Sequence, residues 1–420
     1  MQLKTILNRV EKHRSFVYGE ARFAETERGP AVEVELRPRA NSRAICSGCE
    51  RPGPGYDTLP PRRFEFVPLW GFLVFFLYAM RRVRRVDCRQ CGVKVEKVPW
   101  AKGKQRLTTT YAWFLASWAK RMTWTDVSRA FRTSWDSVFR AVEQAVEWGR
   151  AHMDLTGVES IGVDEISLRR GHRYLTLVYQ IDEGRRRLLW IGEHRRVKTL
   201  LGFFRWFGKD RSAGLRFVCS DMWKPYLQVI AKKAQAAVHV LDRFHIMVHL
   251  NKAIDEIRAG EARQMARDGY EALLKHSRWC LLKRPENRTE KQEAKLADLL
   301  RYNLRSVRGH LLREDFQGFW EYVSPAWAGK FLDRWCTRTM RSQLEPMKKV
   351  ARMLRRHRPL ILNWFRARGA VSAGSVEGLN GKAKVTTRRA YGFRSFRAAE
   401  IALYHTLGDL PEPEFVHRFC

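Results

Sequence analysis

The sequence predicts a multidomain α/β protein: a mixed sheet, interrupted by an all-helical insertion and preceded by two small N-terminal modules. Three observations carry that prediction. Residues 161–241 alternate short apolar runs with helical stretches, the pattern of strands joined by hairpins and crossovers. Residues 251–369 lose that alternation and become a long helical block rich in Lys, Arg and Trp. Ahead of both, residues 1–155 hold two paired-cysteine knuckles and then two helix-start signals in close succession. At 420 residues and 45% hydrophobic side chains, the chain has the length for roughly two to four domains with real cores.

The first module spans 1–100. Its cysteines stand as Cys46-Ser-Gly-Cys49 and Cys88-Arg-Gln-Cys91, which puts four thiolates where one tetrahedral Zn²⁺ is held. The interval between the knuckles is longer than in a compact finger, so the expectation is a zinc ribbon with strands between them. A pair of disulfides is the alternative, disfavoured in a reducing compartment. Cys219, Cys280, Cys336 and Cys420 lack such spacing and read as buried or incidental. Residues 67–80 are almost wholly apolar but shorter than the roughly 20 needed to span a bilayer, and they contain Pro68 and Gly71, so a buried strand is expected. Arg62, Arg63, Arg81, Arg82, Arg84 and Arg85 flank it, as a basic rim for a DNA backbone or simply a solvated face. The opening Met1-Gln-Leu-Lys-Thr lacks the apolar core of a secretory signal, which with the short apolar run predicts a cytoplasmic, nucleoid-associated protein with no membrane partner.

Residues 101–155 form the second module. Tyr111, Phe114, Leu115 and Trp118 recur at helical spacing, and Thr123-x-x-Asp126 and Thr133-x-x-Asp136 each satisfy free amides at a helix start. The spacing predicts a short helix over 125–131, a turn, and a longer helix over 134–150. That is a helix-turn-helix outline, with Ser137 and Arg140 at the groove-facing start of the last helix. Helical triplets without a DNA role share this outline; the neighbouring ribbon and the charge favour DNA.

The sheet begins in the segment 156–250. Ser160-Ile-Gly-Val-Asp-Glu and the run 174–181 flank Arg170-Gly171-His172 as two strands and their turn. A third strand over 187–192, a helix over 197–207, a fourth strand over 215–219, a helix opened by Pro225 and a fifth strand over 237–241 follow. Three antiparallel strands, then helix, strand, helix, strand, is the order of a ribonuclease-H-like sheet. Alternation turns Asp164 and Glu165 to opposite faces, so only one belongs to a given site. Taken alone, Asp164 is accounted for as an acid that ends a strand or makes a structural hydrogen bond; beside Asp221, just past the fourth strand, it becomes a candidate for chemistry.

In the helical insertion, 251–369, Trp279, Trp320, Trp327, Trp335 and Trp364 read mostly as core, a minority as platforms for unpaired bases. His310, Arg313 and Tyr322 superficially match a tyrosine recombinase, but no supporting arginines accompany them. The last segment, 370–420, returns to the sheet domain. Ser375 is placed to cap a helix with Glu377 in its first turn, Gly378 and Gly381 suit close approach of something large, and Lys382, Lys384, Arg388 and Arg389 suit phosphates.

Lys and Arg number 79 against 44 Asp and Glu, a net charge of +35 spread along the chain, so a polyanion partner follows from counterion release. Ribosome-associated and membrane-surface proteins share such a balance; charge alone names no reaction.

With the knuckles and helix-turn-helix, the stretches Gly162-Val-Asp-Glu, Arg170-Gly-His-Arg-Tyr, Ser220-Asp-Met-Trp-Lys-Pro-Tyr226, Asp242-Arg-Phe-His245, Val376-Glu-Gly-Leu-Asn380 and Arg388-Arg-Ala-Tyr-Gly-Phe393 make this chain similar to bacterial insertion-sequence DDE transposases of the ISL-three group. The resemblance spans nearly the whole chain. It implies a catalytic triad at Asp164, Asp221 and Glu377 in a ribonuclease-H-like fold, holding two Mg²⁺ or Mn²⁺ ions. It also implies double-stranded DNA partners, the element's ends and the target, and a homodimer that brings two ends together. Such carboxylates suit hard divalent ions, and water or a 3′ hydroxyl then attacks without a protein nucleophile. The alternatives are a nuclease on the same sheet that cuts without joining, and a DNA-binding regulator with an inactive sheet domain.

Overall fold

The computed structural model describes the chain except residues 1, 79–82, 170–172, 271, 368–372 and 415–420. Arg81, Arg82, Cys420 and the turn at 170–172 therefore lie outside the described residues. The chain is a mixed α/β protein that divides into two compact units, Met1–Asp154 with Arg389–Cys420, and Leu155–Arg388. The C-terminal residues from 389, grouped by sequence with the sheet domain, thus cluster with the N-terminal unit. Ion pairs explain how: the Phe396–Leu407 helix lies against the Trp135–Ala151 helix through Arg150–Glu400 at 2.9 Å and Arg397–Glu143 at 3.0 Å.

In the first unit, four strands lie in the order Phe16–Thr26, Gly29–Pro38, Phe72–Tyr78, Arg62–Leu69. Trp100, fully buried, closes their core with edge contacts to Phe16, Phe64 and Tyr78. The apolar run 67–80 is not one strand. It crosses a hairpin in which Leu69 faces Phe72, with Trp70 at φ +49° and Gly71 at φ +83°. Two successive positive φ values are what a two-residue hairpin of matching twist requires. The expected basic rim is largely engaged within the chain: Arg84 is paired with the buried Glu96 at 2.8 Å, Arg85 with Asp57, and Arg63 lies 3.5 Å from the Phe75 ring centre.

Around the knuckles, Ala44–Ile45 pairs with Pro52–Gly53, and Val83–Cys88 lies between Gly55–Leu59 and Gly92–Val95. Three helices follow, Thr109–Ala119, Trp124–Ala130 and Trp135–Ala151. Thr108 and Thr123 cap the first two, accepting from the amides of Tyr111 and Asp126. The third cap is Ser134, not Thr133, and it accepts from the Ser137 amide at 3.1 Å. Arg132 at φ +49° makes the intervening turn, which carries the chain one residue past the predicted cap.

The second unit holds a five-stranded sheet in the order Arg185–Glu193, Arg173–Asp182, Ser160–Arg169, Phe217–Ser220, Val238–Leu241. The first three in sequence pair antiparallel; the fourth and fifth run parallel to the first, with Ile161 opposite Val218 and Gly162 opposite Cys219. Such a parallel centre needs cover on both faces. Helix Val197–Phe207, which buries Leu200, Phe203, Phe204 and Phe207, and helix Lys224–Lys233, opened by Pro225, are elements of that cover.

The helical region opens with the 25-residue helix Arg243–Arg267. Its core joins Leu250, Ile254 and Ile257 to Phe316, Trp335, Met347 and Phe365, with Trp320 and Trp364 packed at its edge. Trp279 and Trp327 are half exposed. His310 and Arg313 are structural: both are buried, His310 Nδ1 lies 3.0 Å from the Leu281 carbonyl, and Arg313 donates to the Leu282 carbonyl.

Candidate active site

Asp164 sits mid-strand on the face it shares with Gly162, and that glycine explains which helix covers it. A Cβ at Gly162 would lie 2.4 Å from Val376 Cγ2, so helix Ala373–Arg389 approaches the strand as closely as a backbone allows. The helix starts earlier than sequence suggested, and Ser375 lies inside it, buried, rather than capping it. Val376, Leu379, Asn380 and Ala383 form its buried stripe, and Glu377 is exposed beside it. Because Val376 is stiff at χ1, Gly162→Ala is expected to push this helix off the sheet at a cost of about 1–3 kcal/mol. Urea denaturation of the single variant and of Gly162→Ala/Val376→Ala checks this; the double variant should recover most of the loss.

Asp164 Oδ1 accepts from the Glu165 amide at 2.7 Å, and Oδ2 accepts from Asn380 Nδ2. Asn380 is oriented in turn by Tyr179, whose hydroxyl donates to its Oδ1 at 2.8 Å. His245 Nε2 lies 3.9 Å from both Asp164 Oδ1 and Asp242 Oδ2. Asp221 follows directly on the fourth strand; its Oδ1 accepts from the Trp223 amide at 2.9 Å and its Oδ2 from Arg195 Nη2. Glu165 faces the other way, as alternation requires, with its Oε1 3.1 Å from Arg195 Nε.

These carboxyls act on one another. Burial pushes the Asp164 carboxyl up, the Glu165 amide and His245 pull it down, and the charge of Asp221 pushes it up again. Glu165 is pushed up to about 8 by burial and then by Asp221, Arg195 opposing. Asp242 is pushed up to about 6, first by burial, with Asp164 and Glu377 adding to it. Asp221 thus acts on Asp164, and Glu377 acts on Asp242, without the three acids Asp164, Asp221 and Glu377 forming one tight cluster among the described residues. Among the described residues, the four knuckle cysteines alone form a set of three or more ligand-type side chains with donor atoms within 4.8 Å of one another.

That cysteine set is compact. Cys46, Cys49, Cys88 and Cys91 are all free thiols; Cys49 Sγ and Cys88 Sγ are 3.4 Å apart across the knuckles, and the Gly48 amide donates to Cys46 Sγ at 3.3 Å. The Gln90 and Cys91 amides draw the Cys88 thiol down to about 7, while Cys91 is pushed up by Cys49. Crowded thiols of this kind hold protons that a soft-ligand cation displaces.

Of the predicted DNA contacts, Arg140 is exposed, whereas Ser137 is half-buried with its hydroxyl 2.9 Å from Ser134 in the cap. Lys382, Lys384, Arg388 and Arg389 are exposed, although Arg389 also donates to the Arg121 carbonyl at 3.0 Å. A Cβ at Gly378 or Gly381 would meet nothing within 4 Å, so contacts inside the chain do not account for either glycine.

Asn380, Asp242, His245 and Arg195 border the site without having been assigned a role from sequence. Asn380 is three residues from Glu377 and therefore on a neighbouring helical position, which is a readable signal. Asp242 and His245 stood in a recognisable motif. Arg195 sits in a basic loop with nothing in its neighbours to mark it.

The match to a family model described as transposase, of the ISL3 DDE type, covers residues 161–403. A transposase for insertion sequence element IS1001 from Bordetella parapertussis is 29% identical over 370 residues, which are 87% of this chain and 89% of that protein. A transposase for insertion sequence element IS1557 from Mycobacterium tuberculosis is 30% identical over 405 residues, 90% of this chain and 89% of that one. Among the described residues no helix is long and apolar enough to cross a membrane.

Proposed function

We propose, on the premise that this chain belongs to the ISL3 family of DDE transposases, that it binds the ends of an insertion sequence and moves them by divalent-metal-dependent strand cleavage and strand transfer. The observation that carries the chemical part is the placement of Asp164 on the first strand and of Asp221 just past the end of its parallel neighbour, close enough for the Asp221 charge to act on Asp164, with the Glu377 helix packed across Gly162. The strand order of the five-stranded sheet supports a ribonuclease-H-like catalytic domain in segments 156–250 and 370–388, split by the insertion 251–369. A nuclease without joining activity and an inactive regulator are not favoured by relatives that are themselves named transposases.

In this reading Asp164, Asp221 and Glu377 hold two Mg²⁺ or Mn²⁺ ions, which stabilise charge on the entering and leaving oxygens. The donor set fits in kind: Asp164 lies near His245 and Asp221 is paired with Arg195, and the acids of the site outnumber these two basic side chains, so a hard cation has carboxylate oxygens to bind. Asn380 and Tyr179 keep Asp164 in one rotamer, the second-layer support such ligands need. The exposed face of the Glu377 helix, smooth at Gly378 and Gly381 and basic at Lys382, Lys384 and Arg388, suits a phosphate backbone beside the acids. The N-terminal knuckles hold structural Zn²⁺. A homodimer follows from the need to bring two ends together, and the cytoplasm, at the nucleoid, from the DNA substrate. A labelled element end incubated with protein and Mg²⁺ tests the whole: nicking followed by joining supports it, and nicking with no joining assigns the nuclease reading.

End recognition is assigned to the three-helix module. Arg140→Ala is expected to weaken binding to terminal sequence by about 10–100-fold, the worth of one good base contact, with little change on random duplex. Gel-shift titrations on both DNAs check this. Equal loss on each would make Arg140 a backbone contact. Ser137→Ala should act differently, through the cap, and lower stability by less than about 1 kcal/mol.

A further inference from the structure

Arg195 lies at the centre of a contact set that catalysis by three acids does not require. The third strand in sequence ends at Glu193, and His194 at φ +70° turns the chain sharply. Two hydrogen bonds fix that corner: the His194 amide donates to the Tyr174 carbonyl at 2.8 Å, and Thr176 Oγ1 donates to the His194 carbonyl at 2.9 Å. Thr176 is fully buried and also meets the Tyr226 hydroxyl at 2.7 Å, so Arg195 projects from a rigid base. Its Nη2 donates to Asp221 Oδ2, its Nε lies 3.1 Å from Glu165 Oε1, and its guanidinium packs 4.6 Å from the Trp223 ring centre. The Trp223 amide takes the other oxygen of Asp221 at 2.9 Å. The Glu165 side chain is only 8% exposed, and its contact with Arg195 is an ion pair: neither Glu165 Oε1 nor Arg195 Nε makes a hydrogen bond among the described residues.

We propose that Glu165 and Arg195 are positioning residues: Glu165 anchors Arg195, and Arg195 holds the Asp221 carboxylate in the rotamer from which it binds the divalent cation. The proposal rests on the reading of Asp221 as a metal ligand. A carboxylate has about four lone-pair positions. Trp223 and Arg195 occupy one on each oxygen, which fixes the plane of the group and leaves a position on each for a cation. Loss of the guanidinium frees the Asp221 side chain to rotate and leaves Glu165 buried beside it without its cationic partner. Alternation along the first strand is thereby preserved, yet the acid turned away from Asp164 still serves the site, through the arginine.

The test is Mn²⁺ binding to the full-length, zinc-loaded protein without DNA, read by the electron paramagnetic resonance signal of free Mn²⁺. Arg195→Ala should raise the Kd by about 10–100-fold, as loss of outer support to a ligand does. Arg195→Lys should fall between, because one ammonium cannot bridge two carboxylates as the planar fork does. Glu165→Gln should also weaken binding, and Glu165→Gln/Arg195→Ala should bind no worse than Arg195→Ala, since the two act in series. Cleavage by Arg195→Ala should recover at saturating Mn²⁺. Wild-type affinity in Arg195→Ala overturns the proposal; so does tighter binding, which would make the arginine a plug. If Arg195→Ala does not fold, weakened Mn²⁺ binding by Arg195→Lys and Glu165→Gln supports the proposal, and wild-type affinity in both overturns it. Asp221→Asn is the separate arm: unaltered Mn²⁺ binding there removes Asp221 from the ligands, whatever Arg195 does.

Discussion

Asp164→Asn is expected to abolish both hydrolysis and joining of element ends, by about 10³-fold or more, while end binding stays intact. The substitution keeps the size of the side chain, and the Glu165 amide keeps its acceptor at Oδ1, while the charge needed by a divalent ion is gone. A lost metal ligand removes several kcal/mol of transition-state stabilisation, and each 1.4 kcal/mol is about tenfold in rate. Removing an acid beside DNA cannot reduce phosphate attraction, so affinity for ends should hold or rise. Asp221→Asn and Glu377→Gln are expected to match it, and single-turnover assays with gel-shift controls on the same preparations check all three. Substantial cleavage in Mg²⁺ by any of them would take that residue out of the site.

The same acids set a pH dependence. Asp242 at about 6 and Glu165 at about 8 lie above their unfolded values, so both favour the folded state most when protonated. That contribution is full below the unfolded carboxyl range and is lost as pH rises through about 6 and then about 8. Mn²⁺ should therefore raise the thermal midpoint more at pH 8 than at pH 5.5, and Asp164→Asn should flatten that difference.

Much of this was legible in sequence because the sheet domain obeys local rules. The strand order, the Val197–Phe207 helix and Pro225 at a helix start follow from periodicity and turn chemistry, and Asp164 and Asp221 are marked by their places on neighbouring strands. The Phe16–Pro38 hairpin was not legible: in its first strand Glu20, Ala21, Arg22, Phe23 and Glu25 are all exposed and Arg22 lies opposite Glu33, so the buried side of that strand is confined to Phe16 and Tyr18 and it reads as polar chain. Nor was the partnership of Arg195, since the residues that make it, Glu165, Asp221 and Thr176, lie on three other elements. Sequence spacing exposes contacts within one element; it is silent on side chains that meet only after the sheet has formed.

Replacing Cys46 or Cys88 by serine is expected to remove about one equivalent of zinc and unfold the ribbon. The reason is the size of its core. The buried cluster there is Ala44, Cys46 and Val86, with Cys49, Cys88 and Cys91 against it, and it is separate from the cluster around Trp100 that holds the four-stranded sheet. So few apolar groups cannot offset the ordering of the strands around them, whereas structural zinc in small domains contributes about 10–16 kcal/mol in apparent binding energy. Disulfides do not substitute. All four thiols are free, and the 3.4 Å approach of Cys49 Sγ to Cys88 Sγ joins the two knuckles rather than closing either one. Metal analysis of the full-length protein, with limited proteolysis before and after a strong chelator, reads the outcome. Cleavage should concentrate around the knuckles, in 41–60 and 83–98, once zinc is lost, with the four-stranded sheet and the three-helix module resistant. A protein that is folded, reduced and metal-free, and equally protease-resistant in that segment, would show that packing alone holds the knuckles.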